Sequence, residues 1–196
     1  MIPSPLPGQP QLHYRDASLY LEDRRLSDLA REHGTPLYVY SQAAMLQALA
    51  AYQRGFAGRK VQICYAMKAN SSLAVLQLFA RAGCGFDIVS GGELHRALAA
   101  GVDPKRIVYS GVGKRAEEIR QALEADILLF NVESMAELKK VDEVAGSMGR
   151  KARVSLRINP DVDPQTHPYI STGLKKNKFG LDIEQSLEGY KLAMSR

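Results

Sequence analysis

The middle of the chain alternates between short apolar runs and longer amphipathic stretches, with a repeat of roughly 20 residues. The apolar runs have the length of buried strands, and a polar or small residue follows each of them; they cover residues 61–65, 86–89, 107–109, 127–130 and 154–158. The stretches between them place apolar residues three and four positions apart, as one face of a helix requires, over 73–82, 93–100, 116–124 and 134–145. This alternation is typical of parallel βα units.

Two α/β architectures fit this pattern: a doubly wound sheet and part of a (β/α)8 TIM-type barrel. The units are short and even, and no glycine fingerprint for a dinucleotide is present, which favours the barrel. A complete barrel takes about 250 residues. The chain has 196 residues and its last helix pattern covers 183–194, so we expect a partial barrel of about five βα units.

The first 35 residues follow a different pattern. Leu12–Arg15 and Ser18–Leu21 alternate as antiparallel strands do, and Leu26–His33 has the pattern of a short helix. Ser41 is placed to cap a further helix over 43–56. We expect residues 1–35 to contribute to a second β domain and residues 36–196 to form the incomplete barrel.

Composition narrows the function classes. The net charge is +5, and lysines and arginines are interspersed with acids, which argues against nucleic acid as a partner. No apolar run is long enough for a membrane span, and the first residues lack the pattern of a signal peptide, so a cytoplasmic protein with no membrane partner is expected. Cys64 and Cys84 have neither metal-ligand nor redox spacing and are expected to be buried free thiols.

Lys68 is the leading candidate for a chemical role. It follows the apolar run 61–65, which places it at the carboxyl end of a strand, where α/β folds build their sites. A neutral lysine amine can bond covalently to an aldehyde such as that of pyridoxal phosphate, and the small Ala66 and Ala69 leave room for a flat ring. Position alone favours a lysine that extends to solvent.

Asp87 and Arg157 also follow or end predicted strands. A carboxylate near a pyridoxal ring could fix its electrostatics or hold Lys68, and the alternative for Asp87 is an ion pair at the strand end. A guanidinium directed into a barrel mouth could pair with Asp87 or with an oxygen of the cofactor. For Arg157 the alternative is an ion pair at the rim.

Two glycine-containing turns invite an anion-binding interpretation. In Ser90–Leu94 two glycines open a helix pattern, where backbone amides could meet an anion, although a tight turn explains them as well. Ser110–Lys114 resembles a phosphate loop, but it lacks the first glycine and the final Ser or Thr of that motif. A tight strand-to-helix turn is therefore expected there.

Several motifs carry a resemblance to a known family. Tyr65–Asn70 matches the Tyr-Ala-x-Lys-Ala-Asn motif of the decarboxylases with an alanine-racemase-like barrel, and Phe86–Leu94 matches their Phe-Asp-x-x-Ser pattern. With His167–Gly173 and Lys178–Gly180, the chain resembles the diaminopimelate decarboxylases from end to end. Ornithine and arginine decarboxylases share the lysine and Lys-Phe-Gly motifs, whereas the His-to-Gly stretch is more similar to the diaminopimelate branch.

The resemblance implies a pyridoxal 5'-phosphate enzyme that decarboxylates the amino acid meso-diaminopimelate to L-lysine, the last step of lysine synthesis. Lys68 would be catalytic and bind the cofactor covalently, and Asp87 and Arg157 would be cofactor-binding. No metal is implied. The full-length protein would be a homodimer.

The resemblance also implies parts that this sequence lacks: a histidine that stacks on the ring, a glycine-rich phosphate loop, a Glu-Pro-Gly-Arg segment and a C-terminal β domain. We therefore expect an N-terminal fragment that is inactive alone. Three alternatives remain open: a related decarboxylase of the ornithine or arginine type, a non-catalytic pyridoxal-phosphate-binding barrel, and a small doubly wound binding protein.

Overall fold

A computed structural model describes residues 4–6, 9–160, 162 and 180–195. Contacts divide the chain into two units, Met1–Val61 and Gln62–Arg196. The domain boundary expected from the sequence lies earlier, at 35/36, and that assignment remains a prediction. His167–Gly173 and Lys178–Phe179 lie outside the described residues.

The first unit contains a four-stranded antiparallel sheet in the order β1-β2-β3-β4. Its strands are β1 (Ser4–Leu6), β2 (Gln9–Arg15), β3 (Ser18–Leu21) and β4 (Arg24–Arg25), followed by helices α1 (Leu26–His33) and α2 (Gln42–Gly55). Ser41 caps α2 as expected, because its hydroxyl accepts a hydrogen bond from the Ala44 amide at 2.9 Å. The hydroxyl of Ser41 and the amide of Ala43 both donate to Glu22, which lowers the pKa of that carboxyl.

The second unit contains a parallel sheet in the order β5-β6-β7-β8-β9. Its strands are β5 (Cys64–Ala66), β6 (Gly85–Ile88), β7 (Ile107–Tyr109), β8 (Leu129–Val132) and β9 (Val154–Leu156). Each strand pairs with the next one in the chain, whereas a doubly wound sheet reverses its order at a switch point. This order confirms the partial TIM-type barrel.

Helices connect or follow these strands as the apolar periodicity predicts. They are α3 (Leu73–Arg81), α4 (Gly91–Ala99), α5 (Ala116–Glu124), α6 (Met135–Ser147) and α7 (Ile183–Met194). Predicted and observed boundaries agree at α1, α5 and α7, while β8 begins two residues after the predicted run 127–130. The shift follows from Asp126, whose left-handed φ of 57° places Ile127 and Leu128 in the turn before the strand.

The core of the second unit lies on one face of the sheet. Phe86 and Ile88 of β6, like Ile107 and Tyr109 of β7, are fully buried. The residues between them, Asp87 among them, are only half-buried. Because side chains alternate along a strand, the fully buried residues share one face, and the other face carries the half-buried Asp87 and its register partner Val108.

Cys64 and Cys84 are both free, with Cys84 buried and Cys64 half-buried. Burial raises the pKa of both thiols, which keeps them protonated. Among the described residues, the helices are too short or too polar to span a bilayer.

Candidate functional site

The three predicted site residues lie at the carboxyl ends of the parallel strands. Lys68 lies in a single 3₁₀ turn, Met67–Ala69, directly after β5. Asp87 is in β6 and pairs in register with Ala66, two residues before Lys68. Arg157 follows the last residue of β9. The topology thus brings all three to one edge of the sheet, with Lys68 and Asp87 on adjacent strands.

Lys68 has an exposed side chain, and its neighbour Met67 is fully buried. The buried Met67 fixes the short turn against the core, so the amine is presented at the strand end. The hydroxyl of Tyr65 donates to the carbonyl of Asn70 at 3.0 Å and closes the segment that carries the lysine. The amine is therefore accessible to a ligand and is held on a short, anchored piece of chain.

Asp87 is oriented by residues from the next two strands. The hydroxyl of Ser110, which follows β7, donates to Asp87 Oδ1 at 2.5 Å. Asn131 of β8 in turn donates from Nδ2 to Ser110 Oγ at 2.9 Å. Since Asn131 supplies a proton to the hydroxyl oxygen, the Ser110 hydrogen is directed to the carboxylate.

Arg157 bonds to Glu133, the residue after β8. Its Nη1 donates to both carboxylate oxygens, at 3.0 and 3.1 Å. Glu133 is 4% exposed, and the Gly111 amide also donates to it at 3.2 Å. The sequence offered Asp87 or a cofactor oxygen as partners for Arg157; the carboxylate that Arg157 contacts is Glu133, because Asp87 lies three strands away.

At the helix starts along this edge, backbone amides donate hydrogen bonds to a glutamate side chain of the same chain. Glu118 in α5 accepts from the Arg115 amide at 3.0 Å and from the Gly91 amide, at the start of α4, at 2.8 Å. Burial disfavours its charge, but these hydrogen bonds outweigh burial and lower the pKa of Glu118. The anion at Gly91 is therefore an internal carboxylate, and the structural interpretation of that glycine is confirmed.

The side chain of Lys114 is completely buried. Its ammonium donates to the carbonyls of Gly111 and Asn131 and to the Glu137 carboxylate, at 2.7, 2.8 and 2.7 Å. Three donors meet three acceptors, which is the full capacity of an ammonium group. The segment Ser110–Lys114 is thus a strand-to-helix turn, as expected, and Lys114 fixes it to the end of β8.

These residues fit a pyridoxal phosphate group. The group needs an accessible amine for its aldehyde, and its ring and phosphate need charged or polar partners. The carboxyl edge supplies the exposed Lys68 amine, a carboxylate whose Oδ1 is held by Ser110, and a guanidinium held by a buried glutamate. Small Ala66 and Ala69 flank the lysine.

The sequence-based reasoning missed Ser110, Asn131 and Glu133 as parts of this site. Each is a polar residue at or just beyond the end of a predicted strand, which is the same signal that identified Asp87. Register decides which of these residues meet, and it was not available from the apolar pattern alone.

Comparison with known proteins finds a matching family model and similar proteins. Residues 42–196 match the family model described as pyridoxal-dependent decarboxylase, pyridoxal binding domain. The chain is 53% identical over 180 residues to a diaminopimelate decarboxylase of Haemophilus influenzae, covering 92% of this chain and 43% of that protein. It is 56% identical over 173 residues to one of Pseudomonas aeruginosa, covering 88% and 42%.

A solved structure gives the same result for the fold. The crystal structure of diaminopimelate decarboxylase from Helicobacter pylori complexed with L-lysine superposes with a TM-score of 0.83 and 53% identity. The match covers 86% of this chain and 43% of that one, so the chain spans less than half the length of its relatives. With the matched model covering most of its residues, the chain belongs to the pyridoxal-dependent decarboxylase family and corresponds to its pyridoxal-binding domain.

Proposed function

We propose that this chain is the N-terminal part of a pyridoxal-phosphate-dependent carboxy-lyase that converts meso-diaminopimelate to L-lysine, the last step of lysine synthesis. The observation that carries the proposal is the exposed Lys68 amine at the carboxyl edge of the sheet. It lies in the turn after β5, the strand that pairs with the strand of Asp87. Relatives that share about half of the sequence are named diaminopimelate decarboxylases.

In this proposal Lys68 binds the cofactor covalently and, once released from it, moves a proton. Asp87 and Arg157 bind the cofactor through the carboxylate and the guanidinium. The bound cofactor supplies an electron sink for the carbon that loses carbon dioxide. The chain's own contribution is to present the amine and to hold the two charged groups on separate strands.

The substrate is an amino acid, and two structures of the Helicobacter pylori relative are complexes with L-lysine, which is the expected product. The finer parts of the proposal are a homodimer for the full-length protein, a cytoplasmic location, and a β domain to which residues 1–35 contribute. Their support is the family membership and the antiparallel sheet in the first unit.

The experiment that tests the cofactor site is a lysine map. The purified chain is incubated with pyridoxal 5'-phosphate, treated with borohydride to fix any covalent adduct, digested and analysed by mass spectrometry. We expect Lys68 to be the principal labelled lysine, and the substitution Lys68→Arg to remove that label. Lys105→Arg, at an exposed lysine on the other edge of the sheet, is the matched control and should leave it unchanged.

Labelling that is spread over surface lysines, with Lys68→Arg losing no more label than Lys105→Arg, would contradict the cofactor site. The reaction itself is tested by release of carbon dioxide from meso-diaminopimelate, ornithine and arginine. Because the chain spans about 43% of the length of this relative, we expect the chain alone to release no more carbon dioxide than the Lys68→Arg variant does. Sustained turnover by the chain alone would show that the missing part is not required.

A further inference from the structure

The turn after β7 contacts Asp87 directly and is linked to Arg157 through Glu133. Its first residue, Ser110, donates to Asp87. Ser110 lies two residues after Val108, the residue that pairs in register with Asp87. Its second residue, Gly111, donates its amide to Glu133, which holds Arg157. One pair of consecutive residues therefore contacts the Asp87 carboxylate on β6 and the Glu133 carboxylate that Arg157 pairs with.

Hydrogen bonds from Lys114 and Asn131 hold the turn in place. Lys114, completely buried, donates to the carbonyl of Gly111 at 2.7 Å and to that of Asn131 at 2.8 Å. Asn131 also supplies the hydrogen bond that directs the Ser110 hydroxyl. The Ser110 side chain is thus fixed by Asn131 on β8, and the Gly111 amide is fixed by Glu133 just after β8.

The backbone at Gly111 requires glycine. Its φ is +92°, in the left-handed region, and a Cβ there would lie 3.3 Å from the Cβ of Val89. Gly113 in the same turn has no such requirement, since a Cβ there would meet no described atom within 4 Å. The conformation that aims the Gly111 amide at Glu133 is therefore specific to that position.

We infer that Ser110 and Gly111 are positioning residues for the cofactor site: Ser110 sets the direction of the Asp87 carboxylate, and Gly111 sets Arg157 through Glu133. The inference rests on the proposed function and adds to it. Neither residue touches the cofactor in this scheme. Each holds a charged group in one direction before a cofactor would bind, which would reduce the ordering needed on binding.

The first test measures the affinity for pyridoxal 5'-phosphate at Lys68, taken from the concentration dependence of the trapped adduct. Ser110→Ala should weaken it about tenfold, the cost of one hydrogen bond to a charged group. Ser110→Thr keeps the hydroxyl and should stay within about twofold. Val112→Ala, at an exposed position of the same turn, is the control and should match the unmodified chain.

A rescue by threonine separates positioning from general damage, since any loss of packing would not depend on a hydroxyl. If the unmodified chain labels Lys68 and Ser110→Ala binds within about twofold of it, the Ser110 inference is wrong while the proposed function stands. If the unmodified chain does not label Lys68, the proposed function fails, and the next test still decides the Gly111 inference.

The second test needs no cofactor. Phenylglyoxal modifies accessible arginine, and mass spectrometry gives the rate at Arg157. Gly111→Ala and Glu133→Gln should both raise that rate, by about threefold or more, because each weakens the pairing that holds the guanidinium. Gly113→Ala should leave the rate unchanged. Equal rates in Glu133→Gln and the unmodified chain would overturn the link from the turn to Arg157, even if Gly111→Ala does not fold.

Discussion

The two edges of the parallel sheet use the same kinds of charged residue in opposite environments. At the carboxyl edge, Lys114 and Glu133 have side chains that are 0% and 3% exposed. At the amino edge, Asp126 pairs with Lys105 and Arg153, and all three are about half exposed. Ion pairs therefore occur at both edges, but at the carboxyl edge the Lys114–Glu137 pair and the Glu133 carboxylate are removed from water, while Arg157, the partner of Glu133, is 43% exposed.

This difference separates two tasks. A buried ion pair is costly to form and severe to break, and it fixes the direction of its members. An exposed pair contributes little because water and salt screen it. The carboxyl edge, where the site lies, uses the first kind and so gains fixed geometry. The amino edge uses the second kind to connect the loops before β7, β8 and β9.

The largest expected effect comes from removing the buried ammonium. Lys114→Met should lower the free energy of unfolding by about 3–5 kcal/mol, because it removes the only charge paired with the largely buried Glu137 carboxylate among the described residues and leaves two carbonyls without the ammonium donor. Urea denaturation followed by circular dichroism measures it. Lys140→Met, which removes an exposed pair with Glu143, should change the same quantity by less than about 0.5 kcal/mol.

Equal losses in these two variants would contradict the distinction between the edges. A loss in Lys114→Met that disappears in high salt would do so as well, since a buried pair is screened far less than an exposed one.

A smaller effect is expected at the start of α4, where the Glu118 carboxylate accepts a hydrogen bond from the Gly91 amide. A Cβ at Gly91 would lie 3.0 Å from Cγ of Glu118, whose carboxylate is held by the amides of Gly91 and Arg115. Gly91→Ala should therefore cost about 1–3 kcal/mol of unfolding free energy. Gly92→Ala is the matched control: the new Cβ would meet only Ser90 Oγ at 3.8 Å among the described atoms, and helix propensity makes it neutral or stabilising.

The same denaturation experiment measures both variants. If Gly91→Ala is as stable as Gly92→Ala, Glu118 can move without loss, and its contact with α4 does not stabilise the unit.

The elements of the second unit followed from the apolar pattern, because the requirement to bury one face leaves a strong periodic signal. Strand β7 and helices α5 and α7 have the predicted bounds, and the consecutive strand order agrees with the even spacing of the units. The capping serine of α6 was also predictable: Ser134 accepts from the Glu137 amide at 3.2 Å. The Glu137 carboxylate in turn accepts from the Glu133 amide at 3.0 Å.

The connections between charged groups were not predictable in the same way. The sequence identified Lys68, Asp87 and Arg157 from their strand-end positions, and their cofactor roles remain predictions. The sequence did not identify Glu133 as the partner of Arg157, because that pairing depends on which residue after β8 faces the end of the neighbouring strand β9. Hydrogen bonds between units that lie 20 or more residues apart leave no periodic trace.

The smallest effect is expected at the amino edge. Hydrogen bonds from Lys105 and Arg153 lower the pKa of Asp126 from 3.8 to about 2. A carboxyl whose folded pKa is lowered stabilises the fold above its unfolded pKa of 3.8 and loses that contribution as the pH falls toward 2. Asp126→Asn, which tolerates the same left-handed φ, should lower the thermal midpoint at pH 7 by less than about 3 °C.

The pH dependence distinguishes this ion pair from packing. The difference in midpoint between Asp126→Asn and the unmodified chain should be constant above pH 3.8 and should close as the pH falls to about 2, because the protonated carboxyl then resembles the amide. Salt should also reduce it at pH 7, since the pair is about half exposed. A difference that persists at pH 2 and in high salt would mean that Asp126 acts through the shape of its turn, and the two edges of the sheet would then not differ in the way their charges act.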